Sequence, residues 1–221
     1  MSGFIGYVDK EGVFLSADSR RTNLVDGSVS IVKKIHKLNN NMIVATGGYG
    51  TLGHECREEL NNKIIKTSSI EDVFDIAKPI FKNAYSEFIL EHQDHIEHLY
   101  LIVGGYSINK NEWVLGSLRS VDNFESVFWI NRGRPYFTGS NTNLVIKIAS
   151  DEFYKQKASE ITYKLDIWAF KSFKALSKVD VHIGFPIQLC ILNSDSFVEV
   201  EIESENSNVE SDSRFLAEFP I

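Results

Sequence analysis

Ser2, Asp18, Lys34 and the pair Gly47-Gly48 supply the parts of a nucleophilic acyl-transfer centre. A serine hydroxyl alone is a poor nucleophile. A free α-amine on the same residue can take its proton, because such an amine titrates near pH 7.7–8. A neighbouring lysine adds positive charge and favours both the neutral amine and the alkoxide. An aspartate beside that lysine holds it charged and fixed. A glycine-rich turn at a helix start presents backbone N–H groups where an oxyanion develops. The chemistry requires that Met1 be removed, which a small second residue permits; with Met1 retained the amine is blocked.

Two hairpins are expected to bring these residues together. Residues 4–8 and 13–18 read as strands around an Asp9-Lys10-Glu11-Gly12 turn, with Gly12 free to take a positive φ. Pairing Val8 with Val13 sets residue 3 opposite Asp18 and Ser2 opposite Ser19. A second pair, Val32 to Leu38 and Met42 to Thr46, turns at Asn39-Asn40-Asn41. Pairing Leu38 with Met42 sets Lys34 opposite Thr46, one residue before Gly47-Gly48.

The remaining pattern alternates strands and helices. A helix is predicted over 50–63, and another runs from the N-cap Ser69 to about residue 91, with Asp72 at its third position. Strands are predicted at 99–104, 112–118 and 126–131, helices at 140–156 and 159–176, and a strand pair at 187–193 and 197–203. The order strands, two helices, strands, two helices, strands suits an α+β fold of two mainly antiparallel sheets flanked by helix pairs, a four-layer αββα sandwich. One domain over 1–221 is expected, with 204–221 an acidic, Ser/Asn-rich loop or tail.

Composition narrows the function. Of the 221 residues 43% are hydrophobic and 24% charged, and fifteen Phe, eight Tyr and three Trp can fill a large core. The net charge of −7 and the lack of a basic cluster argue against nucleic acid as partner. No apolar run suits a membrane span, and the first residues do not read as a signal peptide. Cys56 and Cys190 read as buried thiols of a cytoplasmic protein, not as a bridge.

The run Gly12-Val-Phe-Leu-Ser-Ala-Asp-Ser-Arg-Arg-Thr22, then Val32-Lys-Lys-Ile-His-Lys-Leu38, then Ala45-Thr-Gly-Gly48, resembles the start of proteasome β-subunits and their bacterial relatives. Those relatives include the peptidase partner of a bacterial AAA+ unfoldase and the Anbu proteins. In that family an N-terminal Thr, an Asp and a Lys stand sixteen residues apart in turn, and Ser2, Asp18 and Lys34 keep both intervals. The resemblance implies Gly48 as oxyanion donor. It also implies Ser140, in Thr138-Gly-Ser140, and Asp180, in Val179-Asp180 before Gly184, as supports of the catalytic amine. Arg21, Val32, His36, Thr46, Gly50 and His54 would surround the substrate residue before the cut bond. It implies amide hydrolysis through an acyl-enzyme on a polypeptide substrate, no cofactor or metal, and a homo-oligomeric ring or related multimer. A separate AAA+ unfoldase would feed it, since no Gly-x-x-x-x-Gly-Lys-Ser/Thr motif is present. Three features depart from the family pattern: Ser stands for Thr as nucleophile, no propeptide is expected, and Ile183 replaces the Ser of an Asp-x-x-Ser-Gly turn.

Plainer readings stand beside these. Ser2 is also a chain-end residue, and Asp18 and Lys34 are also a structural ion pair under a sheet. Gly47 and Gly48 would also start a helix tightly. His92, His95 and His98, interleaved with acids, read as a solvated helix end before a metal site. Trp113, Trp129 and Trp168 read as core or subunit interface. Two rival functions remain: a non-catalytic structural or regulatory ring subunit, and a small-molecule amidase of the same superfamily.

Overall fold

Strand β1 (Gly3–Val8) and strand β2 (Gly12–Asp18) form the first hairpin of the computed structural model, in the register Phe4↔Ala17 to Val8↔Val13. The structure describes residues 3–23, 26–39, 41–92, 98–129, 135–139, 142–159, 163–207, 209 and 218–219. Every residue of both strands is buried. That needs cover on both faces, and the alternation of side chains supplies two apolar faces. Ile5, Tyr7 and Phe14 enter a core beneath helices, while Phe4, Val8, Val13, Leu15 and Ala17 enter a second core between sheets.

Short strands β3 (Arg20–Thr22) and β4 (Val29–Ile31) pair with each other. Strands β5 (Ile35–Asn39) and β6 (Met42–Gly48) make the second hairpin, followed by α1 (Gly50–Lys63) and α2 (Ile70–Glu91). Helix α2 buries Ile70, Val73, Phe74, Ala77, Ile80, Phe81 and Phe88, an apolar stripe at helical spacing. Strands β7 (Leu99–Ser107), β8 (Glu112–Arg119), β9 (Val127–Trp129) and β10 (Tyr136–Gly139) follow. The chain continues through α3 (Thr142–Ser159), β11 (Tyr163–Lys164), α4 (Leu165–Leu176), β12 (Ile187–Asn193), β13 (Phe197–Ile202) and β14 (Glu218–Phe219).

The strands assemble into two five-stranded antiparallel sheets, β10-β1-β2-β12-β13 and β5-β6-β7-β8-β9. Helices α3 and α4 cover the first sheet, burying Val145, Phe153, Trp168 and Phe173. Helices α1 and α2 cover the second, burying Cys56, Leu60, Phe74 and Phe81. A third core lies between the sheets. The fold is therefore the αββα sandwich expected from the element order. Trp168 is fully buried and donates its indole N–H to Ala149 O at 2.8 Å, and Trp113 packs edge-on to Tyr106. Cys56 and Cys190 sit in different cores as free thiols, each pushed up to about 12 by burial. No helix among the described residues is long and apolar enough to cross a membrane.

Several boundaries differ from the sequence reading. Strand β5 begins at Ile35, not Val32, because Val32 N–H donates to Ser19 O and the N–H groups of Lys34 and Ile35 donate to the Gln188 side chain. The second hairpin keeps the expected offset from Ile35↔Ala45 to Lys37↔Ile43, then shifts by one so that Asn39 meets Met42. Gly12 does not use a positive φ. A Cβ there would lie 2.3 Å from Leu192 O, so close approach of β12 requires the glycine. The helix expected from 159 starts at Leu165, since Tyr163 and Lys164 pair instead with Phe219 and Glu218. Within the segment 204–221, Glu218 and Phe219 form strand β14. Strands β3, β4 and β10 carry no apolar alternation long enough to be read in advance.

Candidate active site

The first hairpin ends with Gly3 N–H donating to Asp18 Oδ1 at 2.8 Å. Asp18 is fully buried, and its other oxygen, Oδ2, lies 3.0 Å from Lys34 Nζ. Lys34 is itself only 6% exposed. A carboxylate and an ammonium removed from water together are tolerated because each offsets the other's desolvation. Burial pushes the Asp18 carboxyl up, against the Lys34 charge and the Gly3 N–H. Burial likewise pushes the Lys34 ammonium down, against its attraction to Asp18. A lysine so placed exchanges a proton more readily than one in water.

Lys34 is positioned through its backbone by a residue that the sequence reading missed. Gln188 on β12 is 3% exposed, and its Oε1 accepts from Lys34 N at 2.6 Å and Ile35 N at 3.2 Å. Its signal was present: a single polar residue in Ile187-Gln-Leu-Cys-Ile191, on the face shared with buried Cys190 and Leu192. A buried amide in such a strand must bond to something.

Gly48 closes β6 with φ +92°, and a Cβ there would lie 1.7 Å from His98 O. Tyr49 N–H donates to that same carbonyl at 2.9 Å, after which α1 begins at Gly50. The start of α1 has no side-chain cap and no acidic residue in its first turn. The Arg21 side chain runs beside it: a Cβ at Gly50 would lie 3.1 Å from Arg21 Nε, and Arg21 Nη2 donates to Thr51 Oγ1 at 2.5 Å.

A cleft of about 680 Å³ opens here, lined by Lys34 and Gly48 and by five of the six expected substrate contacts: Arg21, Val32, Thr46, Gly50 and His54. His36 is not in its lining. It sits half-buried on β5 with Nε2 3.0 Å from Lys33 O, and burial followed by the Arg57 charge lowers its pKa. Arg57, 8% exposed, lines the cleft and donates to His54 Nδ1 at 2.7 Å, which leaves the ring proton on Nε2.

Asp180 lies in the turn after α4, where its Oδ1 accepts from His182 N at 2.9 Å and its carbonyl from Ile183 N at 3.2 Å. Ile183 is fully buried and packs on Gly3, whose added Cβ would meet Ile183 Cδ1 at 3.2 Å. An apolar side chain thus abuts the residue after Ser2, where the family pattern carries a hydroxyl. Ser2 and Ser140 lie outside the described residues, as do Met1 and His95. Of the other two histidines, His92 stacks on Phe88 with its ring centroid 4.5 Å away, and His98 serves through its carbonyl. The side chain of Trp129 is likewise outside the description.

The two sheets and their helix layers give this chain a fold similar to that of solved Anbu proteins. It matches the Anbu complex of Pseudomonas aeruginosa, seen as a helical assembly, with TM-score 0.72 and 14% identity over 96% of this chain and 89% of that one. It matches the Anbu Gly-1 mutant from Hyphomicrobium sp. strain MC1 with TM-score 0.71 and 13% identity over 93% and 88%. No family model and no curated protein matches the sequence. At such identities the likeness extends to the fold.

Proposed function

We propose that this chain is an N-terminal-serine hydrolase of peptide amides, active after Met1 is removed. The observation that carries the reading is the buried Asp18–Lys34 pair, tied through Asp18 to Gly3 N–H, the residue next to Ser2. In the proposed reaction Ser2 Oγ attacks the amide carbonyl carbon while the Ser2 α-amine takes the hydroxyl proton. Lys34 supplies the positive charge that lowers the cost of the alkoxide, and Asp18 holds Lys34 in place. Gly48 N–H is the proposed donor to the tetrahedral oxyanion. Collapse breaks the C–N bond, and the α-ammonium returns the proton to the leaving amine. A water then adds to the ester, its proton taken by the same amine, and the acid leaves as Ser2 regains its hydroxyl hydrogen. Ser140 and Asp180 are proposed supports of that amine.

The single domain is proposed to work as a homo-oligomer of the cytoplasm, on unfolded polypeptide fed by a separate AAA+ unfoldase. The helical assembly of the Pseudomonas aeruginosa Anbu complex supports the oligomeric part. A second reading, a non-catalytic subunit, draws on Ile183, which places a buried methyl where a hydroxyl would support the amine. Intact mass spectrometry with an electrophile directed at N-terminal nucleophiles separates the two. The hydrolase loses Met1 and gains one equivalent on Ser2. An unlabelled Ser2, or amide hydrolysis by a form that keeps Met1, rejects it.

A further inference from the structure

The acidic or basic side chains that line the cleft beside Lys34, among the described residues, are all basic, on a chain whose net charge is −7. Arg20, Arg21, Lys33, Lys34 and Arg57 line it, and among the described residues no Asp or Glu does. The acids nearby are already engaged. Asp18 holds Lys34, Glu199 holds Lys33, and Asp26 accepts from Ser28 N. Glu58 reaches Arg57 only at 3.5 Å. Arg20 donates to Val181 O and Arg21 to Thr51 Oγ1, so neither guanidinium has a carboxylate partner among the described residues.

Burial makes this arrangement costly unless something answers it. Arg57 is 8% exposed, with its guanidinium turned to a neutral imidazole nitrogen and one distant acid. Lys34, 6% exposed, offers three donors and has one carboxylate oxygen within reach among the described residues. Thr51, His54 and Arg57 recur every three residues along one face of α1, so Arg21, bonded to Thr51, and Arg57 stand at the two ends of one row. The row begins at the uncapped positive end of that helix, against which Arg21 lies. The row leads away from Lys34 and Gly48, so a chain reacting there would lay a neighbouring side chain along it. An apolar side chain would desolvate Arg21 and Arg57 further without supplying an anion, and a lysine would meet like charge.

We propose that the cleft selects peptides with a carboxylate side chain immediately before the cut bond, held by Arg21 and Arg57. This substrate class rests on the hydrolase reading above, but the binding it requires can be measured without turnover.

The test uses the full chain with Ser2→Ala, titrated with two peptides identical except for a C-terminal Glu or Gln. The Glu peptide is expected to bind about 10- to 100-fold more tightly, with the difference shrinking at high salt. Arg21→Gln should reduce the discrimination to about threefold or less, and Arg21→Glu should turn the preference towards a Lys peptide. A purely structural role for Arg21 would not reverse a preference. Equal binding of Glu and Gln, preference for Leu or Lys in the parent, no binding of either peptide, or tighter binding of inorganic phosphate than of the Glu peptide overturns the inference. Fluorogenic amides of the same peptides, run on the chain with Ser2 intact, keep the two readings apart. A Ser2 adduct with no Glu preference sinks the inference alone. Glu-selective binding with neither adduct nor turnover sinks the hydrolase and leaves the acidic-peptide site standing.

Discussion

Helices α1 and α2 start in opposite ways. At α2, Ser69 Oγ accepts from Asp72 N at 3.1 Å while Asp72 Oδ2 accepts from Ser69 N at 2.8 Å, and Glu71 adds a second acid to the first turn. That end is closed on itself. At α1 the N-cap is Tyr49, which makes no side-chain cap bond, the first turn has no acid, and a guanidinium lies against Gly50. Both helices pack the same sheet and share one core. The difference is therefore not one of burial or layer. It shows that the chain can cap a helix fully and leaves uncapped the one whose end faces the cleft.

The largest effect should come from breaking the open side at its buried cation. Lys34→Met is expected to slow amide hydrolysis by about 10²–10⁴-fold. It should also destabilise the fold by roughly 3–5 kcal/mol, because it strands Asp18 in a dry site. Pairing it with Asp18→Leu should restore most of the stability in a denaturant titration and none of the rate. Recovery of rate in the double variant would mean that the pair is structural only. Gly48→Ala should cost roughly 3 kcal/mol or more, since the new methyl would meet His98 O at a φ that disfavours any side chain. A loss under about 1 kcal/mol in chemical denaturation would show that the β6–α1 corner yields easily.

A third helix start sharpens the contrast. Asp166, in the first turn of α4, is 4% exposed, and burial raises its pKa to about 6. Its folded pKa lies above the unfolded value near 3.9, so the proton it binds stabilises the fold. That stability is fully present below about pH 4 and is lost as pH rises through about 6. Asp166→Asn should flatten stability between those values and gain on the order of 2 kcal/mol at neutral pH. A profile unchanged by the substitution would remove Asp166 as its source. Ser69→Ala should cost about 1 kcal/mol and leave turnover untouched. The smallest effect is Thr51→Glu, which gives α1 the first-turn acid that α2 has. It should raise stability by about 0.3–1 kcal/mol while weakening acidic peptides. If affinity for the Glu peptide is unchanged, the open end has no bearing on binding.

What the sequence disclosed was local. A tight turn fixed Val8 against Val13, and the offset carried Gly3 to Asp18 without further information. The second hairpin kept the expected offset from Ile35 to Lys37, next to Lys34, although Asn39 pairs with Met42 and leaves the loop one residue shorter than the triple-Asn turn suggested. Helix α2 was legible to its cap because Ser69 and Asp72 sit three apart before an apolar stripe. What stayed hidden depends on partners far along the chain. Gln188 acts on Lys34 across 154 residues, and β10 pairs with β1 across more than a hundred. Arg57 reads from sequence as an ordinary helix charge, and only the packing around it shows that it is buried over the cleft. The substrate contacts expected of Arg21 and His54 rest on family likeness and not on spacing. Ile183 was visible as a departure from that likeness, but its contact with Gly3 was not.

Gln188 reaches from one sheet to the backbone of the other, and so fixes the phase between them. Were one sheet to slip along its neighbour by a single residue, two amide hydrogens and the oxygen they share would be left empty in a dry interior. The sandwich thus has one setting, and the lysine is indexed from a strand near the far end of the chain. Drift anywhere along β12 would be felt first as a displaced ammonium.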